Sequence, residues 1–352
     1  MSSSTPGSTL FGAVLVVLLV GGMAIAAMQH SSSTSPAQGG SDTTIVPEGI
    51  APTPIEVTDE PTTNQQAAQT ALPTLLFIRS ASSGQQLVQR VGAGSESVLF
   101  TDADLTVNLQ SVLGVSDKKA VAVFASDDGQ LELRSIALDG SGRTTVLNAS
   151  FGGASGAALA PSKQVAFTIF DNAERSFGFS LVQEQFDGSG RSVIDTDAQG
   201  LSLPAWSRDG KQIAYVQGQA TPDTGQVLRL ATIGSKSDTM HTFEANATVT
   251  GLAWLDDHSV AYVTEPLGNN QQNNAKLYVF DLQSKQSREL IDLPGKERSV
   301  VVAAKATWLA VITGEVQAGE QQPAGTLTVF ELASGKQQNL GTASLVGAWI
   351  QE

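Results

Sequence analysis

The sequence predicts an all-β fold, a six-bladed β-propeller, and three observations support this prediction. A short hairpin pattern recurs six times, and its copies are 44 to 49 residues apart. Each repeat has room for four short strands. The last strand of the chain has the pattern of the strand that the first repeat lacks. A period in the forties made of short strands is typical of propeller blades.

The clearest copy of the repeat is LPAWSRDGKQIAYV, at residues 203–216. An apolar run that ends at Trp206 is followed by a turn, in which Asp209 can bond to the nearby backbone and Gly210 accepts a positive φ. A β-prone run then resumes at Ile213, so the stretch predicts strand, turn and strand. The second of these strands recurs at residues 75–78, 121–124, 165–168, 213–216, 260–263 and 309–312.

Two more strands are predicted in each repeat. The third strands are predicted at residues 86–91, 131–138, 179–186, 226–233, 276–282 and 326–332. Each is followed by a turn, and two of these turns have the same sequence, Asp-Gly-Ser-Gly-Arg, at 139–143 and 187–191. A short fourth strand follows, for example at 144–147 and 192–194. Four strands in each blade are therefore predicted.

The C-terminal strand is expected to close the ring. The first repeat has only three strands before the second repeat begins, and residues 345–350, LVGAWI, have the pattern of the innermost strand at 203–206. Pairing this strand with the first blade would cover the sheet edges at both ends of the propeller. Three tryptophans share the innermost-strand position, which favours packing between blades: Trp206, Trp254 and Trp349.

The stretch AWSRDGKQIAYV resembles the Pro-Asp-Gly repeat of TolB-like propellers, which is similar to the Trp-Asp repeat of WD40-like proteins. Arg208 stands where that family usually has proline. The resemblance covers residues 73–352 as a pattern of periods, and it implies a propeller fold. It does not imply an activity, because such repeats serve binding proteins and enzymes alike. We do not expect residues 1–72 to supply the α/β domain that precedes the propeller in TolB.

A transmembrane helix is predicted at residues 10–28, after a short N-terminal tail at 1–9. The segment contains 19 apolar or small residues and no charge, and about 20 such residues span the hydrocarbon core of a bilayer. A cleaved signal peptide is the alternative, because Ala24-Ile25-Ala26 resembles a cleavage site. The tail has no Lys or Arg, however, and the apolar run is longer than that of a usual signal. We therefore expect a single-pass signal anchor.

Residues 29–72 are predicted to form a disordered stalk. They are rich in Ser, Thr, Pro, Gln and Gly and contain no Lys or Arg, and such a composition buries too little apolar area to fold. A stalk of this kind suits the outer side of a membrane. We therefore expect the propeller to lie on the extracytoplasmic side of the cell membrane, at the cell surface or in a periplasm.

Composition and motifs exclude several classes of function. The net charge of −14 has the wrong sign for a nucleic-acid partner. The chain has no cysteine, and its three histidines, His30, His241 and His258, show no metal-ligand spacing. A Gly-x-Ser-x-Gly nucleophile motif does not occur. The sequence therefore predicts no catalytic residue, no metal site and no cofactor.

Polar or acidic side chains recur just after the fourth predicted strand of five repeats, at Asp102, Asn148, Asp195, Glu244 and Asp292. In an antiparallel four-stranded blade the loops after the second and fourth strands lie on one face. The five residues are therefore expected to share a face with long loops at 217–225, 265–275 and 314–325, and such faces often bind partners. The alternative is that these residues only end strands and begin turns.

These observations favour a non-enzymatic interaction module that is anchored by its N-terminal helix. We expect it to bind a protein or a cell-wall glycan through the face that carries the long loops. Two alternatives stay open. One is a propeller enzyme of lactonase or glycosidase type that uses carboxylates on that face, and the other is a structural component of the cell surface.

Overall fold

The computed structural model describes residues 72–103, 107–126, 128–152, 155–173, 176–267, 275–293, 299–305, 308–313 and 325–349. Its described residues form 24 β-strands, which are arranged in six four-stranded antiparallel sheets. The predicted tail, the membrane helix and all of the stalk except Leu72 lie outside these ranges. In the described part of the chain, no helix is long and apolar enough to cross a bilayer.

Each sheet is one blade of the propeller. The strands of the first three blades are β1 (Leu75–Ala81), β2 (Gly84–Arg90) and β3 (Glu96–Thr101) in blade 1; β4 (Val107–Ser116), β5 (Lys119–Ser126), β6 (Leu131–Ala137) and β7 (Thr144–Phe151) in blade 2; and β8 (Ser155–Leu159), β9 (Gln164–Ala173), β10 (Ser176–Gln185) and β11 (Ser192–Asp197) in blade 3.

The remaining strands complete the ring. They are β12 (Leu201–Trp206), β13 (Gln212–Gln217), β14 (Val227–Thr232) and β15 (Asp238–Thr242) in blade 4; β16 (Ala247–Trp254), β17 (Ser259–Pro266), β18 (Ala275–Asp281) and β19 (Gln286–Leu293) in blade 5; β20 (Ser299–Lys305), β21 (Trp308–Thr313), β22 (Gly325–Glu331) and β23 (Gln337–Ala343) in blade 6; and β24 (Leu345–Trp349), which returns to blade 1. The six-bladed fold is therefore confirmed.

The C-terminal strand closes the ring as predicted. β24 pairs antiparallel with β1, so that Leu75 lies opposite Trp349 and Ile78 lies opposite Leu345. The Ser344 N–H also donates to the carbonyl of Ile78, at 2.8 Å. Blade 1 thus combines the first and last strands of the propeller, in the order β24, β1, β2, β3.

The two middle strands of each blade pair without interruption, whereas the inner and outer pairs contain register shifts. Such bulges increase the local twist of a sheet.

The hairpin turns have the chemistry that the sequence predicts. At 207–210, the Gly210 N–H donates to the carbonyl of Ser207 at 3.0 Å, and Gly210 has a φ of 67°. The Ser207 hydroxyl donates to the carboxylate of Asp209 at 2.8 Å. In the two Asp-Gly-Ser-Gly-Arg turns, the first Asp accepts the N–H of the Ser two residues later, at 2.9 Å in both cases. These polar bonds fix the turns locally.

The hydrophobic core consists of six clusters, one at each contact between neighbouring blades. Side chains of a second strand alternate between its two neighbours. Phe77 of β1 packs towards blade 6, for example, and Leu76 packs towards blade 2. The Trp254 indole lies in one of these contacts, where its N–H donates to the carbonyl of Ala205 in the preceding blade, at 2.8 Å. Its predicted packing role is confirmed, and Trp206 is buried at the corresponding position.

Glycines let the innermost strands approach one another around the propeller axis. A Cβ atom on Gly114 of β4 would lie 2.7 Å from a methyl carbon of Leu159, and one on Gly347 of β24 would lie 2.9 Å from the Cβ of Val112. Both distances are shorter than van der Waals contact. Side chains at these two positions would therefore push neighbouring blades apart.

Candidate functional site

The connections after the second and fourth strands meet on one side of blades 4 and 5, as predicted. The Asn246 N–H, after β15, donates to the carbonyl of Thr221 in the loop between β13 and β14, at 3.1 Å. The Leu267 N–H, after β17, donates to the carbonyl of Asn246, at 2.6 Å. We call this side the long-loop face and define it here by residues 218–226, 243–246 and 265–267. Most of the other two predicted loops, residues 268–274 and 314–324, lie outside the described residues.

The loop at 218–226 is held by its own polar groups and by the outer strand. Thr221 and Thr224 exchange backbone hydrogen bonds, and the Thr221 hydroxyl accepts the Thr224 N–H at 3.0 Å. Gly225 lies so close to Phe243 that an added Cβ would be 1.8 Å from the Phe243 carbonyl oxygen. Buried Gln226 accepts the N–H of Val249 in blade 5, at 2.7 Å. This loop is therefore fixed relative to both blades.

The five predicted site residues do not occupy equivalent places in the structure. Asp102 and Glu244 follow their outer strands, as predicted. Asn148, Asp195 and Asp292 instead lie within β7, β11 and β19. The predicted position is wrong for these three, because the outer strands continue past them. Each of the three still pairs with a residue of the third strand, and these residues are Leu133, Leu181 and Lys276, respectively.

Asp102 is a buried carboxylate that joins blades 1 and 2. Its side chain is only 4% exposed. One oxygen accepts the N–H of Gln85 and the other accepts the N–H of Leu109 in β4, each at 2.7 Å. A carboxylate that accepts two backbone donors compensates for the cost of its burial. This arrangement agrees with the alternative role in strand connections.

Asn148 contributes to a polar contact between blades 2 and 3. Its amide donates to the carboxylate of Glu184 at 3.1 Å, and its carbonyl oxygen accepts the Ser150 N–H at 2.9 Å. Glu184 is 1% exposed and also accepts a hydrogen bond from Arg191, at 2.8 Å. The Arg191 guanidinium lies 5.7 Å from the ring centre of Phe167. Asn148 is therefore part of a polar network around the buried carboxylate of Glu184.

Asp195 has the same kind of role between blades 3 and 4. Its carboxylate accepts hydrogen bonds from the hydroxyl of Tyr215 and from that of Ser237, the latter at 2.9 Å. Arg229 approaches the same carboxylate at 3.9 Å. Burial and the neighbouring Asp195 carboxylate both raise the pKa of Tyr215, so its phenol stays protonated and can donate. The network links two blades through polar groups.

Glu244 and Asp292 are the exposed members of the five. Glu244 lies on the long-loop face and has no hydrogen-bond or ion-pair partner among the residues that the structure describes. Asp292 lies 3.8 Å from the ammonium of Lys276, which pairs more closely with Glu289 at 2.8 Å. Both carboxylates remain accessible to a partner molecule.

An aromatic group at the contact between blades 4 and 5 is missed by the sequence analysis, which considers His241 alone. The rings of Tyr262 and Tyr278 stack with centres 5.0 Å apart and an angle of 9° between planes. The centre of the His241 ring lies 6.3 Å from that of Tyr262. We call these three side chains the aromatic notch. The sequence repeat could have indicated this group, because Tyr262 occupies the repeat position that Tyr215 has in the preceding blade. In the structure, Tyr262 lies opposite Tyr278 on the neighbouring strand.

Burial governs the protonation of the aromatic notch. It lowers the pKa of His241 below the ordinary 6.5, although the nearby Glu244 opposes this shift, so the imidazole is neutral at pH 7. Burial also raises the pKa of Tyr262 to about 12, while the phenol donates to the hydroxyl of Ser287 at 2.9 Å. The described ranges contain no group of three or more His, Cys, Asp or Glu side chains placed to hold a metal ion.

Comparison with known proteins supports the fold. No model of a known protein family matches the sequence, and no curated protein sequence matches it. Among solved structures, TolB from Acinetobacter baumannii matches with a TM-score of 0.56 and 14% identity, over 79% of this chain and 66% of that chain. The fold is that of a TolB-like β-propeller. A protein assigned as TolB from Agrobacterium tumefaciens also matches, with a TM-score of 0.55 and 11% identity, over 78% of this chain and 91% of the other.

The TolB-like propeller is shared with enzymes as well. An oligogalacturonate lyase in complex with manganese matches with a TM-score of 0.51 and 14% identity, over 76% of this chain and 73% of the lyase. The tricorn protease matches with a TM-score of 0.51 and 13% identity, over 77% of this chain and 30% of the protease. Likeness at these identities is a likeness of fold, and a fold of this kind hosts many activities.

Proposed function

We propose that this protein is a non-enzymatic interaction module that binds a protein or a cell-wall glycan through its long-loop face. In this proposal residues 10–28 anchor it in the cell membrane and residues 29–72 form a stalk on the extracytoplasmic side. The observation that carries the proposal is the joining of two loops and an outer-strand connection into one surface on blades 4 and 5. Loops that a rigid scaffold positions in this way often bind partners.

We assign two roles to the five recurring polar residues. Asp102, Asn148 and Asp195 hold neighbouring blades in register, since their polar atoms are engaged across blade contacts. Glu244 and Asp292 face solvent and supply negative charge to the surface of this protein that would contact the partner. The excess of acids over bases along the whole chain supports an acidic surface and disfavours a nucleic-acid partner.

The proposal is tested by proximity labelling from the propeller of the full chain in its own membrane. We expect one protein or glycan-bearing partner to be labelled reproducibly. Substituting both Thr221 and Thr224 by Ala should loosen the 218–226 loop and reduce that labelling. Labelling that is unchanged in this loop variant would argue against the long-loop face as the binding surface.

Negative charge on the long-loop face, at Glu244, and in the outer strand of blade 5, at Asp292, should speed association. We expect Glu244→Gln with Asp292→Asn to slow association with the captured partner about threefold at low salt, because exposed interface charges act mainly on the on-rate. The difference should shrink above 0.1 M salt, where the Debye length is about 10 Å. The matched control is Asp238→Asn with Asp257→Asn, which removes equal charge near the hairpin turns. An equal effect of both pairs, measured by stopped-flow kinetics, would contradict the assignment.

The topology has a direct test, because the natural chain contains no cysteine. A Ser41→Cys variant places a single thiol in the predicted stalk. On intact cells, we expect this thiol to react with a reagent that cannot cross membranes. Reaction only after lysis would put the stalk and the propeller inside the cell and overturn the proposed location.

A further inference from the structure

Two asparagines of the chain lie in the Asn-x-Ser/Thr motif, which is the acceptor motif for N-linked glycans. The motifs are Asn148-Ala149-Ser150 and Asn246-Ala247-Thr248. Neither has proline in the middle position, which would prevent attachment. The structure places the two asparagines in different surroundings, and only one of them is open to a modifying enzyme.

Asn148 is held in the contact between blades 2 and 3. Its side-chain amide donates to the buried carboxylate of Glu184 at 3.1 Å, and its carbonyl oxygen accepts the N–H of Ser150 at 2.9 Å. The amide nitrogen also packs against the turn of the next blade, where a Cβ on Gly188 would lie only 2.9 Å from it. A sugar on this nitrogen would therefore break the polar contact between the two blades.

Asn246 is an exposed residue of the long-loop face. Its backbone forms the hydrogen bonds to Thr221 and Leu267 that join the loops. Its side-chain amide has no hydrogen-bond partner among the residues that the structure describes. Its φ of 66° lies in the left-handed region, which asparagine adopts more readily than most residues. Asn246 thus has a fixed backbone and a side chain that an enzyme can reach without breaking a contact.

The residue two positions before each asparagine also separates the two motifs. Glu244 precedes Asn246 at this distance, and it is exposed. Some bacterial oligosaccharyltransferases require an acidic residue there, because its carboxylate can pair with a basic side chain of the enzyme. The residue two positions before Asn148 is the apolar Val146. Residues 244–248, Glu-Ala-Asn-Ala-Thr, therefore match the longer motif as well as the shorter one.

We propose that Asn246 is an N-glycosylation site, which receives an oligosaccharide from a polyprenyl pyrophosphate donor. In this reaction the side-chain nitrogen of Asn246 attacks C1 of the first sugar. The bond between C1 and the pyrophosphate oxygen breaks, the pyrophosphate leaves with the electron pair, and one amide proton passes to a base of the transferase. The inference goes beyond the proposed binding function and rests on the proposed extracytoplasmic location, because such transferases act on that side of the membrane.

Mass spectrometry of the full chain, purified from its own membrane, tests the inference. Trypsin separates the two asparagines, because residues 237–276 form one peptide with Asn246 and residues 144–163 form another with Asn148. We expect a glycan on the first peptide and none on the second. Fragmentation of the modified peptide should place the glycan on Asn246.

Variants of the motif identify the residues that the transferase reads. Asn246→Asp should abolish the glycan, and aspartate also tolerates the left-handed backbone, so the loop is retained. Thr248→Ala should abolish it too, whereas Thr248→Ser keeps the motif and should keep the glycan. Glu244→Gln should lower the modified fraction. The matched control is Asp257→Asn, which removes an exposed carboxylate at a hairpin turn and should leave the fraction unchanged.

Three results would overturn the inference: an unmodified Asn246 in the native chain, a glycan on the first peptide that survives Asn246→Asp, or equal modification of Asn148. An unchanged modified fraction in Glu244→Gln would overturn the role given to Glu244. The proposed function fails separately. If Asn246 carries a glycan but no partner is labelled, only the binding function is wrong. If a partner is labelled and the Ser41→Cys thiol reacts on intact cells, an unmodified Asn246 means that only the glycosylation inference is wrong.

Discussion

A chain that ends at Ser344 should no longer unfold in one cooperative transition. This truncation removes β24, the inner strand of blade 1, and leaves β1 as an open edge. Leu75, Leu76 and Ile78 are fully buried in β1, so their strand would lose its hydrogen-bonded cover. Exposed edges of this kind also promote aggregation. We expect calorimetry to show a broad or split transition, with increased binding of a hydrophobic dye.

The control for this truncation is a chain that ends at Trp349, which keeps all of β24. It should melt like the full chain. The role of closure would be contradicted if the chain that ends at Ser344 showed one sharp transition at the same temperature. A second variant, Gly347→Val, keeps the strand but places a side chain against Val112 and the carbonyl of Leu76. It should also destabilise the ring, since overpacking typically costs about 1–3 kcal/mol.

Replacing Asp102 by alanine should lower the free energy of unfolding by at least about 2 kcal/mol. The substitution leaves the N–H groups of Gln85 and Leu109 without their acceptor, and each unsatisfied buried group costs about 1–3 kcal/mol. Asp102→Asn should cost less, because its one carbonyl oxygen can still accept one of the two donors. Urea denaturation measures both changes.

The exposed Asp292→Asn is the matched control for Asp102, and it should change stability by no more than about 0.5 kcal/mol. The two roles of the recurring residues separate in this comparison. If Asp102→Ala unfolds like the unsubstituted chain but slows partner association, then Asp102 belongs to the binding surface. Loss of stability without a change in the association rate would support its role between blades.

The loop face and the blade contacts differ in how far the sequence predicts them. The shared face of the second and fourth connections follows from strand direction alone, and the bond between Asn246 and Thr221 confirms it. The contacts of individual side chains do not follow. The two identical turns illustrate this: Arg143 pairs with Asp139 of its own turn, whereas Arg191 reaches Glu184 in β10. The residue at the position of Glu184 in the preceding blade is the apolar Ile136.

The sequence by itself determines the number of blades, the order of strands within each blade and the closure by residues 345–349. These features depend on local hairpins and on the repeat period of the sequence. Most neighbouring strands are also close in the sequence, so their pairing can be predicted from it. Only the tertiary structure decides which recurring polar residues bond to a neighbouring blade. Asp195 and Asp292 both lie in outer strands, but Asp195 meets Tyr215 of the next blade, whereas Asp292 remains exposed to solvent. This contact depends on which residue of the next blade lies opposite, and the period of the sequence does not specify that residue.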